Sequence, residues 1–167
     1  RAQLRDGGQY STLGQEIEWA QEYIAIEQIR MGHRRVQVEW HHDAPDDAET
    51  PQLLLQPLLE NAVFHGVETT HRPGNIVVQT ALQGHWLYIH IENPFTPHEN
   101  MENTQKGHRS NSMALKNLKE RLDIMYDNDA QLKLEALDEL GIYRVDIRLP
   151  YRSKEKETEY QTLFGGD

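Results

Sequence analysis

The chain has 167 residues, 37% hydrophobic and 26% charged, enough for one domain with its own core. It holds no apolar run of about 18 residues that would span a membrane, its opening RAQLRDGGQY lacks the apolar centre of a signal peptide, and the absence of cysteine excludes disulfides and thiolate metal sites and suits a reducing compartment. The formal net charge is -10 and Lys and Arg do not cluster, so direct binding to nucleic acid is not expected.

The first periodic segment, TLGQEIEWAQEYIAIEQIRMG, predicts a helix over residues 12–32. Leu13, Ile17, Ala20 and Ile24 recur at helical spacing, Thr12 with Gln15 resembles a capping box, and Gly32 can end the helix. RRVQVEW, residues 34–40, alternates apolar and polar positions as a half-buried strand does. After the polar loop HHDAPDDAET, Thr50 is expected to cap a second helix over 51–67, with Pro51 at its first position and Gly66 near its end. HRPG marks a turn at 71–74. NIVVQTAL and HWLYIHIEN form a hairpin around Gln83-Gly84.

Residues 94–111, PFTPHENMENTQKGHRSN, show no periodicity and read as a long loop of the kind that carries function. A helix over roughly 112–126 follows, with Leu115, Leu118, Leu122 and Met125 on one face. Two strands near 130–136 and 142–149 close the pattern around a turn at Asp138–Gly141, and the charged residues 151–167 are expected to fray. This order specifies an α+β fold, a two-layer α/β sandwich whose mixed sheet carries the helices on one face.

One segment of the second helix, LLLQPLLENAVFHG at 53–66, is apolar around nearly its whole circumference, as a buried helix is. Its polar residues then need partners. Asn61 and His65, four apart, share a face. Pro57 lies on that face one turn earlier and leaves the Leu53 carbonyl without an amide donor. Two readings stay open on spacing alone: polar groups that line a ligand cleft, or an Asn61 satisfied by a neighbouring loop beside a solvent-facing Glu60. His41-His42-Asp43 and His65 with His71 have no recognised metal-ligand spacing.

QPLLENAVFHG resembles the N box of LytS/AlgZ-type sensor histidine kinases, Q-P-L-V-E-N-A-hydrophobic-x-H-G, within the GHKL superfamily of ATP-binding domains. LGQEIEWAQEYIAIEQIRMGHR is similar to the family's L-x-x-E segment, MALKNLKERLDIMY to its G-L-x-N segment, and IYRVDIRLP to its last strand. The likeness covers about residues 12–150. It implies the Bergerat ATP-binding fold, in agreement with the order of elements. Residues 1–11 would be the remnant of an upstream dimerisation and phosphoacceptor region, and 151–167 a flexible tail.

The resemblance also implies roles. Asn61 matches the asparagine that holds the Mg2+ bridging the phosphates of ATP, and an amide oxygen is a suitable hard ligand. Glu60 matches the adjacent catalytic acid, which would orient a water or the incoming histidine. His65 would contact phosphate or brace Asn61. Asn93 stands where the family places the aspartate that accepts from the adenine amino group. Strand alternation points it inward with Ile89 and Ile91 and leaves Glu92 outward. Ser110, Ser112 and Ala114 replace the phosphate-loop glycines, and Leu115, Asn117, Arg121 and Leu122 match the family pattern. The helix that follows offers its N–H groups to an anion. Lys106, His108 and Arg109 in the expected lid would meet the phosphates, and Arg121 would make a structural ion pair.

The implied activity is phosphoryl transfer from ATP to a histidine outside this chain, because the family's H-F-hydrophobic-x-N acceptor motif is absent from it. The implied partners are a response regulator of LytTR type and a second kinase subunit. The domain would lie on the cytoplasmic side of a bacterial inner membrane, anchored by segments this chain does not contain. The chain opens in mid-pattern without a methionine and reads as a piece of a longer protein. The glycine-poor boxes also admit a degenerate kinase that works by protein contacts. A third reading is a GHKL kinase of the anti-sigma type that phosphorylates another protein.

Overall fold

The structure, a computed structural model, describes residues 9–68, 73–96 and 101–154, and for 101–112 the backbone alone. In chain order the elements are β1 (Tyr10–Thr12), α1 (Leu13–Met31), β2 (Val36–His42), β3 (Glu49–Pro51) and α2 (Leu55–Val63), which runs into a π-helical turn (Phe64–Glu68). β4 (Gly74–Gln83), β5 (Trp86–Pro94), α3 (Met101–Met125), β6 (Gln131–Leu137) and β7 (Ile142–Pro150) follow. Five strands form one sheet in the order β2-β4-β5-β7-β6, with β2 parallel to β4 and the other neighbours antiparallel. β1 and β3 pair separately. The predicted two-layer sandwich is present.

Alternation builds the core. Ile76, Val78, Leu87, Ile89, Ile91, Val145, Ile147 and Leu149 all point to one face of the sheet and are buried there. Against them pack Leu13, Ile17, Ala20 and Ile24 of α1, Leu55, Leu58 and Leu59 of α2, and Leu115, Leu118 and Leu122 of α3. The predicted cap of α1 is real: Thr12 accepts from the Gln15 N–H at 3.2 Å, and Gly32 ends the helix at φ +103°.

The start of the second helix differs from the prediction. Thr50 and Pro51 do not open α2. They form β3, where Ser11 pairs with Thr50 and Tyr10 with Pro51. The chain then turns at Leu53, whose φ is +57°, and α2 begins at Leu55. Leu53 lies outside the helix and is 49% exposed, so the apolar circumference starts one residue later than expected. Pro57 is thereby the third helical residue, inside the first turn, where an N–H has no intrahelical acceptor. No backbone bond is lost to it.

The cap of α2 comes from another helix. Glu16 of α1 is 2% exposed, and its carboxylate points at the start of α2. Oε1 accepts from the N–H of Leu54 and, at 3.4 Å, from that of Leu55. Oε2 accepts from the Leu53 N–H at 3.2 Å and from the Ser11 hydroxyl at 2.8 Å. A buried carboxylate here satisfies orphan donors and meets the positive end of the helix dipole. The far end is tied to α1 as well. Arg30 reaches Glu68 at 2.5 Å and Glu27 at 2.5 Å, and Arg35 donates to the Val67 carbonyl at 2.8 Å.

α3 also departs from the prediction. It begins at Met101, so 101–111 is helix where a loop was expected. MENTQKGHRSN has no apolar stripe to betray a helix. Once Leu115, Leu118 and Leu122 are anchored, propagation towards the N-terminus adds one hydrogen bond per residue fixed. At the other end, residues 151–154 of the expected frayed tail are held. Arg152 accepts from the Glu49 N–H at 2.7 Å, and the Ser153 hydroxyl donates to Asp47 at 2.5 Å. Residues 155–167 lie outside the described residues.

Replacing Glu16 with Ala strips three backbone N–H groups of their acceptor. Glu16→Ala is expected to lower stability by about 2–4 kcal/mol, from the cost of unsatisfied buried donors. Urea unfolding followed by circular dichroism measures this, and a loss below about 0.5 kcal/mol, the scale of a surface change, rules the cap out as a major tie.

Candidate functional site

α2 buries Leu55, Leu58, Leu59 and Ala62, and that packing fixes which way Asn61 points. Asn61 is 2% exposed, yet neither its Nδ2 nor its Oδ1 has a hydrogen-bond partner. It faces a cleft of about 390 Å³ between α2, α3 and the β6–β7 end of the sheet. Asn61 and His65 form one wall, Leu115, Lys116 and Lys119 of α3 the opposite one, and Leu132, Leu134 and Tyr143 the sheet side. The cleft therefore joins an apolar side to two ammonium groups and an unpaired amide, the mixture that binds a small polar ligand.

Tyr143 organises the inner end. Its ring stacks on His65 with centroids 5.2 Å apart and 24° between planes, and Phe95 packs against it at 6.2 Å. Phe64 meets the His65 ring edge-on at 5.1 Å. Burial pushes the Tyr143 phenol above its ordinary value, while the neighbouring Asn61 amide acts weakly in the opposite direction. That neighbour is close enough to bias the phenol but stands outside hydrogen-bonding geometry, so Asn61 stays unpaired.

Asn93 faces inward as alternation predicted and is 1% exposed. It sits across from Tyr143 in the β5–β7 pairing but is not on the wall of the cleft. Its Nδ2 donates to the Pro94 carbonyl at 2.8 Å, and its Cβ lies against Gly66 of the π-helical turn. A Cβ on Gly66 would come within 3.0 Å of it. At the start of β4, a Cβ on Gly74 would stand 2.6 Å from the Gly66 carbonyl. These two glycines let the end of α2 settle onto the sheet.

Of the other residues singled out in the sequence, Leu115 is buried on the cleft wall, whereas Ala114 and Asn117 are exposed on α3. Glu60 is exposed and accepts from Gln56 at 3.2 Å. Its charge, with those of Glu27 and Glu68, adds to the burial that raises the Tyr23 phenol. Arg121 donates to the Gln52 carbonyl at 2.6 Å instead of making an ion pair. The side chains of Lys106, His108, Arg109, Ser110 and Ser112 lie outside the described residues, and so does His71.

Asn61, His65 and Leu115 are thus brought together, and sequence reasoning missed Tyr143, Lys116, Lys119, Leu132 and Leu134. Tyr143 carries a legible signal, because it keeps the inward parity of Val145, Ile147 and Leu149. Lys116 and Lys119 are one turn apart beside inward-facing Leu115, but nothing in their spacing separates them from any solvated pair.

No protein-family profile matches the chain. Its sequence is similar to "Sensor histidine kinase YpdA" of Escherichia coli (strain K12), 29% identical over 161 residues, covering 91% of this chain and 27% of the relative. It is also similar to "Sensor protein LytS" of Streptococcus agalactiae serotype V, 27% identical over 154 residues, 89% of this chain and 26% of the relative. The chain spans about a quarter of the length of these curated relatives. Among solved structures, the catalytic domain of histidine kinase ThkA superposes with a TM-score of 0.60 at 12% identity, over 84% of this chain and 93% of that one. Acinetobacter baumannii histidine kinase AdeS gives 0.58 at 9% identity, over 86% and 68%. The chain therefore has the fold of histidine kinase catalytic domains, and the resemblance to LytS-type sensor kinases read from its motifs holds over about nine-tenths of its length.

A buried, unpaired amide is a stability cost that an apolar residue of similar volume removes. Asn61→Leu is expected to stabilise the ligand-free chain by about 1–3 kcal/mol. A thermal unfolding midpoint that stays level or falls rules out the unpaired state of Asn61.

Proposed function

We propose that this chain is the ATP-binding catalytic domain of a two-component sensor histidine kinase, which delivers the γ-phosphoryl group of ATP to a histidine outside the chain. The observation that carries this reading is the buried, unpaired amide of Asn61 at the head of the cleft. Buried polar groups are ordinarily satisfied, and an exception beside a cleft is best explained by a ligand that completes it.

The residues present fit Mg2+ with ATP. Asn61 offers a neutral oxygen, the kind of ligand magnesium takes alongside waters and phosphates, and an amide N–H that can donate. Mg2+ bound with the nucleotide neutralises phosphate charge and polarises the transferring group. Leu132, Leu134 and Leu115 supply apolar contact for a base, and the His65–Tyr143 stack keeps the wall beside Asn61 rigid. Glu60, the residue before Asn61, is exposed, and in this reading it orients an incoming acceptor histidine. Asn93, which the resemblance assigns to the adenine amino group, lies behind the wall of this cleft with its Nδ2 on the Pro94 carbonyl, so in this reading it supports the wall and does not touch the nucleotide.

In the whole protein, the partners are a response regulator, of LytTR type, and a second kinase subunit. No described helix is long and apolar enough to cross a membrane. The place of the domain is the cytoplasmic side of an inner membrane reached by other segments.

One observation favours the second reading, a degenerate kinase that signals by contact. α3 is helical from Met101, so Ser110, Ser112 and Ala114 stand within a helix instead of a glycine-rich phosphate loop. Calorimetric titration with a non-hydrolysable ATP analogue and Mg2+ separates the two. The kinase reading expects saturable binding below millimolar nucleotide. Asn61→Ala should weaken it by about tenfold or more, which is about 1.4 kcal/mol, and Asn93→Ala should weaken it less. No heat at millimolar nucleotide sinks the kinase reading, and affinity indifferent to Asn61→Ala sinks the site.

A further inference from the structure

Lys116 and Lys119 project from α3 into the rim of the cleft, facing the wall that carries Asn61. Three residues apart, they lie on one side of the helix. Six described arginines are engaged. Arg30 and Arg144 hold carboxylates, Arg35 and Arg121 hold backbone carbonyls, and Arg148 and Arg152 lie over the rings of Trp86 and Tyr126. Lys116 and Lys119 have no ion pair or hydrogen bond among the described residues.

In a chain of net charge -10, two free ammonium groups on one cleft form a local reversal of field. Packing sets their position. Leu115 and Leu118 bury the inner face of α3, so the lysine stems run along the cleft edge and keep their heads in water. A rim of two point charges opposite a buried amide is matched by an anion that carries charge at its outer end and hydrogen-bonding oxygens at its inner end.

We propose that Lys116 and Lys119 are binding residues for the polyphosphate of the nucleotide, the cationic arm that complements Asn61. This rests on the nucleotide reading given above. It assigns phosphate contacts to α3 at residues other than the Lys106, His108 and Arg109 that the motif resemblance suggested. The lysines then discriminate by phosphate count: each added phosphate brings charge to the arm, while the nucleoside portion does not touch it.

Titration calorimetry on the 167-residue chain tests this at two salt concentrations. The probes are Mg2+-ATP, Mg2+-ADP, adenosine and inorganic tripolyphosphate. The variants are Lys116→Ala/Lys119→Ala, the charge-keeping Lys116→Arg/Lys119→Arg, and Lys133→Ala as an exposed control. The alanine pair is expected to weaken Mg2+-ATP by about tenfold and to flatten its salt dependence, as loss of two phosphate contacts does. Adenosine affinity should stay within error, the arginine pair should bind as wild type, and Lys133→Ala should change nothing.

Unchanged ATP affinity and salt dependence in the alanine pair overturn the proposal. If wild type binds tripolyphosphate through the lysines but no nucleotide, the anion arm stands and the nucleotide reading falls. If it binds neither, both fall.

Discussion

The buried carboxylate of Glu16 is the constraint on which the arrangement of α2 depends. A carboxylate removed from water is costly unless its oxygens are hydrogen-bonded. Here three backbone N–H groups and the Ser11 hydroxyl supply those bonds, and the charge sits at the end of α2 where the helix dipole favours it. The partners only converge because Leu53 takes a left-handed backbone, which costs about 1–2 kcal/mol for a residue other than glycine. The same contact explains Pro57. With the first turn capped from α1, a proline at the third helical position forfeits no bond and reduces the freedom of the unfolded chain.

α1 and the turn after it therefore hold α2 and its π-helical extension at both ends, with the carboxylate of Glu16 at the start and the guanidinium groups of Arg30 and Arg35 at the finish. The sign at each end is the one the dipole prefers. A helix held in this way can carry a destabilising side chain. Asn61 is that side chain, buried with two unused hydrogen-bonding atoms. It faces the cleft, so the cost of its unpaired amide is recovered when a ligand there pairs with it.

The far wall is assembled differently. β7 contributes Tyr143 by strand parity, and α3 contributes Leu115 by helix packing and the two lysines as its neighbours. Gly66 and Gly74 make the two walls compatible, since a side chain at either would push the end of α2 off the sheet. Asn93 belongs to this seam. Its Cβ lies against Gly66 of the π-helical turn and its Nδ2 on the Pro94 carbonyl, off the cleft surface.

By itself the sequence determined what periodicity can encode: the alternating strands, the hairpin at Gly84, the apolar face and both caps of α1, and the inward direction of Asn93. Motif resemblance added Asn61, His65 and Leu115, which do meet at one cleft. The start of α2 was misread because Thr50-Pro51 is a good local helix signal that pairing with Tyr10 and Ser11 overrides. The early turns of α3 were hidden because a helix anchored at one end needs no apolar stripe along the rest. Only the tertiary structure decided the cap of α2, the stack of His65 on Tyr143 and the convergence of Lys116 and Lys119 on Asn61. Each joins residues far apart in the chain, and spacing within a segment says nothing about which other segment will lie beside it.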